Sequence, residues 1–279
     1  MENVFYSYMK KTPLVREALR GINMVIGDGE FVGLIGRMGS GKSTLIQHMN
    51  GLLKPDAGSV FVDGIDTAGG SLRELRRKVG LVFQFPEYQL FEESVFKDIA
   101  YGISKRGFNE NEISDRVCAA ASAVGIDGSL MKRSPFELSG GQRRRVAIAG
   151  VLVMEPKYLV MDEPGSGLDP AGREEIFRYV TDLHNNPGVC VILVSHNMED
   201  VARLTGRVVV IDDGLVIMDG PPGGIFTKIE ELERAGLRAP EIQYLMRKLK
   251  TVAPDINVGA LTAVQAADEI EKWISRDRT

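Results

Sequence analysis

Gly36-Arg-Met-Gly-Ser-Gly-Lys-Ser43 is the stretch on which the reading of this chain turns. It matches the pattern G-x-x-x-x-G-K-[ST], and its flanks supply the context that the pattern needs. Phe31-Val-Gly-Leu-Ile35 reads as a short buried strand before it, and Thr44-Leu-Ile-Gln-His-Met-Asn50 reads as a helix after it. Glycines let the backbone curl with its N–H groups inward, and the helix N-terminus adds partial positive charge, so the loop forms an anion cradle. Gly36, Gly39, Ser40, Gly41 and Thr44 would line the phosphates of a nucleotide such as ATP. Lys42 would reach the β- and γ-phosphates, and the Ser43 hydroxyl would ligate Mg²⁺.

Outward from the loop, apolar runs with β-branched residues recur at 31–35, 60–62, 79–83, 158–161, 189–194, 208–212 and 215–218. Helical stretches fall between several of them, which predicts an α/β fold on a mainly parallel sheet. Residues 92–157 break the rhythm with helical patterns at 94–103, 111–124 and 140–153, so a helical subdomain is expected as an insertion in the core of residues 1–225. After Gly220-Pro-Pro-Gly-Gly224 strands cease, and 226–279 reads as a helical appendage. Hydrophobic residues at 44% and charged residues at 26% of 279 are ordinary globular values. A net charge of −4 argues against a nucleic-acid surface. Cys118 and Cys190, far apart and in apolar stretches, read as two buried thiols in a reducing cytosol. No signal segment opens the chain, and no apolar run approaches the ~20 residues of a membrane span, so a soluble protein is expected.

Tyr158-Leu-Val-Met-Asp-Glu163 is an apolar strand ending in two carboxylates. Asp162 would face the loop's Mg²⁺, usually through water, and Glu163 would polarise an attacking water. Strand alternation would point the two side chains opposite ways. Taken alone, the pair reads equally well as a surface turn; the loop at 36–43 favours the site. Leu138-Ser-Gly-Gly-Gln142, just before a helix to about Val153, is a second anion site. One nucleotide does not need two cradles so distant in sequence, so this one is expected to serve a partner subunit's γ-phosphate. Arg143, Arg144 and Arg145 follow, either as a solvated basic face or as charges beside a phosphate.

The loop, Gln84, Leu138–Gln142, Asp162-Glu163, Ser166-Gly-Leu-Asp169 and His196 together resemble an ATP-binding-cassette ATPase over about residues 3–225. The resemblance implies a P-loop NTPase core, with ATP and Mg²⁺ as cofactors. It implies Mg²⁺ and water sensing by Gln84, a signature acting in trans from Ser139, Gly140, Gly141 and Gln142, and catalysis by Glu163. It further implies a subunit bridge at Asp169, a γ-phosphate contact from His196 and adenine stacking on Tyr8. Phe83-Gln-Phe-Pro-Glu-Tyr-Gln-Leu-Phe91, Ile46–Pro55, Ser134–Leu138 and Ser195–Asp200 look like the ATPases of energy-coupling factor transporters, importers of vitamins and transition-metal ions. They look most like the second of two paired paralogues. The implied partners are a second cassette (a copy or a paralogue), an integral-membrane coupling subunit and a substrate-binding membrane subunit. The implied location is the cytoplasmic face of the membrane. The alternatives are the ATPase of an ordinary cassette importer, or a soluble DNA or translation ATPase head.

Phe85, Pro86, Tyr88, Leu90 and Phe91 would form an apolar lip for a membrane partner's helix, with core packing as the alternative. Against the family's pattern, the strand at Asn3–Tyr8 looks clipped at its start, and Gly165-Ser166 stands where Thr-Ala is usual. In the appendage, Ile242, Leu245, Met246 and Leu249 form one apolar stripe and Val264, Ala267, Ile270 and Ile274 another. Two short helices cannot stand alone, so these stripes would pack on the cassette or on a second subunit.

Overall fold

The computed structural model describes residues 1–185 and 188–277. Six strands form the central sheet, in the order Leu215–Gly220, Arg207–Asp212, Phe31–Ile35, Cys190–Val194, Tyr158–Asp162 and Val79–Val82. The first pair is antiparallel and every other pairing is parallel. Inner strands of such a sheet are buried on both faces, which is why they read as unbroken apolar runs. Their alternate residues feed different cores. Leu159, Met161, Val191 and Leu193 join one cluster, while Val160, Cys190, Ile192 and Val194 join the other.

On one face lie the helices Val95–Ala100, Glu110–Ala123, Gly140–Leu152 and Pro170–Asn185. Ile99, Val117, Ile148 and Phe177 share a single core with the sheet, so the 92–157 segment is welded to it rather than set apart. On the other face lies the helix Lys42–Met49, under an antiparallel sheet of Arg16–Ile22, Glu2–Tyr8 and Ala57–Ser59. The run expected as a strand at 60–62 does form one at Phe61–Val62, but outside the main sheet, in a two-stranded ribbon with Ile65–Asp66.

The apolar core does not stop at residue 225. Ile225, Phe226, Ile229, Leu232, Leu237 and Ala239 pack with Ile35, Val201, Val208 and Val210. The helices Glu241–Leu249 and Ala263–Asp277 then close a small core of their own, in which Met246, Ala253, Ile256, Ala260 and Ala266 are buried and Trp273 is partly so. The intervening loop fills the gap that two bare helices would leave. The appendage is also tied to the cassette, because the Glu241 N–H donates to Glu199 Oε1 (3.2 Å) and Tyr244 and Leu261 pack on the larger core. Residues 278–279 of the appendage lie outside the described residues. No helix among the described residues is long and apolar enough to cross a membrane.

Parallel strands deliver their last residues to one edge. The opposite edge carries an ionic cluster: Tyr158 donates to Asp28 and Asp63, and Lys78 and Lys157 pair with Asp63.

Candidate nucleotide site

The loop at 36–43 is folded tightly on its own backbone. A Cβ at Gly36 would sit 2.1 Å from the Ile211 carbonyl oxygen, and one at Gly41, where φ is 110°, would sit 2.5 Å from that of Ala18. Only glycine fits either position. Lys42 Nζ donates to the carbonyls of Gly36 (2.6 Å) and Arg37 (2.9 Å). Burial holds its pKa below the ordinary lysine value, against the opposing pull of Glu163 and Asp162. Ser40 Oγ is buried with no hydrogen-bond partner among the described residues, which fits a group that bonds a ligand oxygen.

Ser43 Oγ donates to Asp162 Oδ2 at 2.9 Å, which joins the loop's helix to the end of the strand Tyr158–Asp162. Burial raises the Asp162 pKa, while the Ser43 hydrogen bond lowers it. Hydroxyl and carboxylate oxygens meeting here are the hard donors that Mg²⁺ prefers. Glu163 lies one residue beyond the strand, in a left-handed conformation with φ 54°. The pleat therefore does not separate the two carboxylates; the turn does. The Glu163 N–H donates to the Val194 carbonyl (3.0 Å), and His196 Nδ1 lies 2.7 Å from Glu163 Oε2. His196 remains 74% exposed and Glu163 is buried, so the histidine caps the carboxylate from the solvent side.

Tyr8 Oη and Thr44 Oγ1 are 3.1 Å apart, and Tyr8 packs edge-on against Tyr6, which packs in the same way on buried His48. An open cleft of about 170 Å³ runs from Tyr8 over Arg16, Ala18, Gly39 and Gly41 to Thr44. Arg16 and Ala18 went unread in the sequence because their strand did. The register places Arg16 directly opposite Tyr8, and its guanidinium leans to 3.4 Å from the Gly39 carbonyl.

The remaining expected residues stand apart from the loop. Gln84 is exposed in the bend before the 3₁₀ turn Pro86–Gln89, and no hydrogen bond joins it to the loop among the described residues. Ser139 caps the helix Gly140–Leu152: its Oγ accepts from the Gln142 N–H (3.3 Å), and Gln142 Oε1 accepts from the Ser139 N–H (3.0 Å). The Ser-x-x-Gln spacing was a legible signal for this capping box. Asp169 Oδ1 accepts from the Gly172 N–H (2.7 Å) at the start of the helix Pro170–Asn185. Nothing within the described chain brings residues 139–142 to residues 36–44.

The three arginines do not form one solvated face. Arg144 is 3% exposed and donates to the carbonyls of Glu163 (2.6 Å) and Pro164 (3.1 Å). Arg145 pairs with Glu175 at 3.1 Å. In the lip, Phe85, Tyr88 and Phe91 are exposed, but Pro86 and Leu90 are buried, and Leu90 belongs to the core.

The sequence family described as ABC transporter matches residues 19–166. The energy-coupling factor transporter ATP-binding protein EcfA2 of Acetivibrio thermocellus is 54% identical over 271 residues, with 97% of this chain and 96% of the relative covered. The chain belongs to the energy-coupling factor cassettes. Its counterpart of the same name in Clostridium tetani is 49% identical over 282 residues, with 100% of this chain and 98% of that relative covered. Among solved structures, cbiO1 from Clostridium perfringens, described as part of the ABC transporter complex cbiONQ, superposes with a TM-score of 0.72 at 40% identity, over 88% of this chain and 97% of that one. The cassette MJ0796, solved as a dimer in a post-hydrolysis state with ADP and Pi, superposes with a TM-score of 0.73 at 30% identity, over 79% of this chain and 97% of that one. This energy-coupling factor cassette is thus an ATP-binding ATPase, and its fold is the α/β cassette that the sequence predicted.

Proposed function

We propose that this cassette hydrolyses Mg²⁺-ATP at the cytoplasmic face of the membrane, as one of two cassettes that drive a vitamin or transition-metal importer. The observation that carries this reading is the meeting of two pairs at one sheet edge, Ser43 with Asp162 and Glu163 with His196, beside the glycine loop. Tyr8 would stack the adenine, and Gly36, Gly39, Ser40, Gly41 and Thr44 would cradle the phosphates. Lys42 would leave its two carbonyl partners for the β- and γ-phosphates, where anionic charge relieves the cost of its burial. Ser43, Gln84 and, through water, Asp162 would hold Mg²⁺. The ion supplies charge neutralisation on the phosphate oxygens. Glu163 would take a proton from the attacking water as its oxygen bonds to the γ-phosphorus. The bond to the β–γ bridging oxygen then breaks, releasing ADP and phosphate. His196 would hold the γ-phosphate and orient Glu163 through their short contact.

Ser139, Gly140, Gly141 and Gln142 would complete the other subunit's site, and Asp169 would bridge the pair. A side chain at Gly140 would meet nothing within 4 Å among the described residues, and one at Gly141 only ordinary contact with Leu168. The chain's own packing does not call for those glycines, which supports an outside ligand at the signature. The membrane-facing partner would be a coupling subunit seated on the aromatic lip, together with a substrate-binding subunit.

Glu163→Gln tests the core of the proposal. It keeps shape and hydrogen bonding but removes the base. Nucleotide binding is expected to persist, turnover to fall by at least ~10²-fold, and an ATP-dependent dimer to accumulate on size exclusion. Unimpaired turnover overturns the assignment.

A further inference from the structure

Arg144 is a buried guanidinium spent on two backbone carbonyls. It rises from the second turn of the signature helix Gly140–Leu152 and is 3% exposed. Its Nη2 donates to the Glu163 carbonyl at 2.6 Å and its Nε to the Pro164 carbonyl at 3.1 Å. Its Nη1 lies 3.9 Å from Glu87 Oε2, in the turn that follows Gln84. The Glu163 carbonyl also accepts from the Ser166 N–H at 3.1 Å, while the Glu163 N–H is held by Val194. Both sides of this left-handed residue are therefore pinned, and Arg144 supplies the only charged pin among the described contacts. Left-handed backbone is uphill for a glutamate and persists only where the surroundings over-determine it. Released from that conformation, the carboxylate would swing off His196 Nδ1, which it now meets at 2.7 Å.

We infer that Arg144 is a positioning residue for Glu163, fixing the turn that aims its carboxylate and fastening that turn to the signature helix. The inference rests on Glu163 acting as the base. Arg144 is buried with its guanidinium on two backbone carbonyls, so it would act through Glu163 rather than on the reacting atoms. An account in which it serves only to hold the helix down predicts lost stability, with turnover per folded molecule unchanged.

The test uses the full chain and four variants: Arg144→Met, Arg144→Lys, Glu163→Gln and the Arg144→Met/Glu163→Gln double variant. Melting temperature, nucleotide KM and single-turnover hydrolysis of radiolabelled ATP are measured for each. Arg144→Met is expected to lower the hydrolysis rate by about a hundredfold, the scale of loss for a misplaced catalytic group, with KM within about twofold of the parent. Arg144→Lys, able to reach one carbonyl, is expected to recover part of the rate. In the Glu163→Gln background, adding Arg144→Met is expected to change the residual rate less than about threefold, because residues acting as one unit are not additive. Full turnover in Arg144→Met, or losses that multiply in the double variant, overturns the inference. If Arg144→Met does not fold, Arg144→Lys carries the same comparison: a parental rate, or a loss that multiplies with Glu163→Gln, overturns it equally. Normal turnover in Glu163→Gln alone overturns the base assignment and this inference with it. An inactive Glu163→Gln beside an unimpaired Arg144→Met overturns this inference alone.

Discussion

Asp63 accepts hydrogen bonds from Tyr158, Lys78 and Lys157 at the sheet edge away from the loop, and these hold its carboxyl well below the usual carboxylate range. A depressed acid stabilises the fold above its unfolded pKa of about 4, and that contribution fades as pH falls towards the lower folded value. Asp63→Asn is therefore expected to cost about 1 kcal/mol at pH 7. The gap to the parent in urea melts should narrow as pH falls below about 4; a gap independent of pH would show that charge is not its source. At this scale the sequence was legible where residue type and spacing announced a meeting, as with Ser43 and Asp162, which the structure joins at 2.9 Å. It was least legible at Arg143 to Arg145. Consecutive helical residues point about 100° apart, so three like residues must meet three surroundings. Which one turned inward depended on the turn at Glu163 and Pro164, far along the chain.

The helix Gly140–Leu152 and the proposed lip are each tested as whole elements. Ser139→Asp keeps an N-cap acceptor, so an unchanged melt is expected, while its carboxylate repels a phosphate. Hydrolysis should be lost in the assembled pair, and ATP binding to the isolated chain should be untouched. Weakened binding to the monomer would place the signature in cis. In the lip, Phe85→Ala/Tyr88→Ala removes two exposed rings that lie 6.1 Å apart, Tyr88 being 84% exposed. Pull-down of the membrane subunits should weaken by ~2 kcal/mol or more if the rings are anchors. A core aromatic would instead cost ~3–5 kcal/mol of stability, so a collapsed melt rejects the lip. The elements themselves were read unevenly. Both-face-buried strands announced themselves as apolar runs, but Arg16-Glu-Ala-Leu-Arg-Gly-Ile22 mixes charges with apolar residues because one side of its antiparallel sheet meets water. Missing that strand hid Arg16 and Ala18 from the nucleotide cleft.

At the scale of the whole molecule, the change in composition after Gly224 does not coincide with a break in packing. A chain ending at 225 loses fully buried Phe226 and Leu232 along with Ile229. Each such loss costs ~2–5 kcal/mol, comparable with the ~5–15 kcal/mol of a whole domain, so that chain is expected not to fold. A chain ending at 240 keeps this core and should show a cooperative thermal melt by circular dichroism. Equal melts for the two truncations would contradict the shared core.

The strand Tyr158–Asp162 begins in the ionic cluster with Asp28 and Asp63 and ends against Ser43. Its two ends are roughly 13 Å apart at about 3.3 Å per residue, and a packed apolar core lies between them. Robustness and chemistry thus occupy opposite rims. Many enzymes must weaken the fold where they place reactive groups, and so exchange durability for rate. Here the strengthening contacts lie outside the proposed catalytic constellation. Changes at residues 28, 63, 78 and 157 are therefore expected to shift stability without moving Ser43 against Asp162, because sites so far apart act independently.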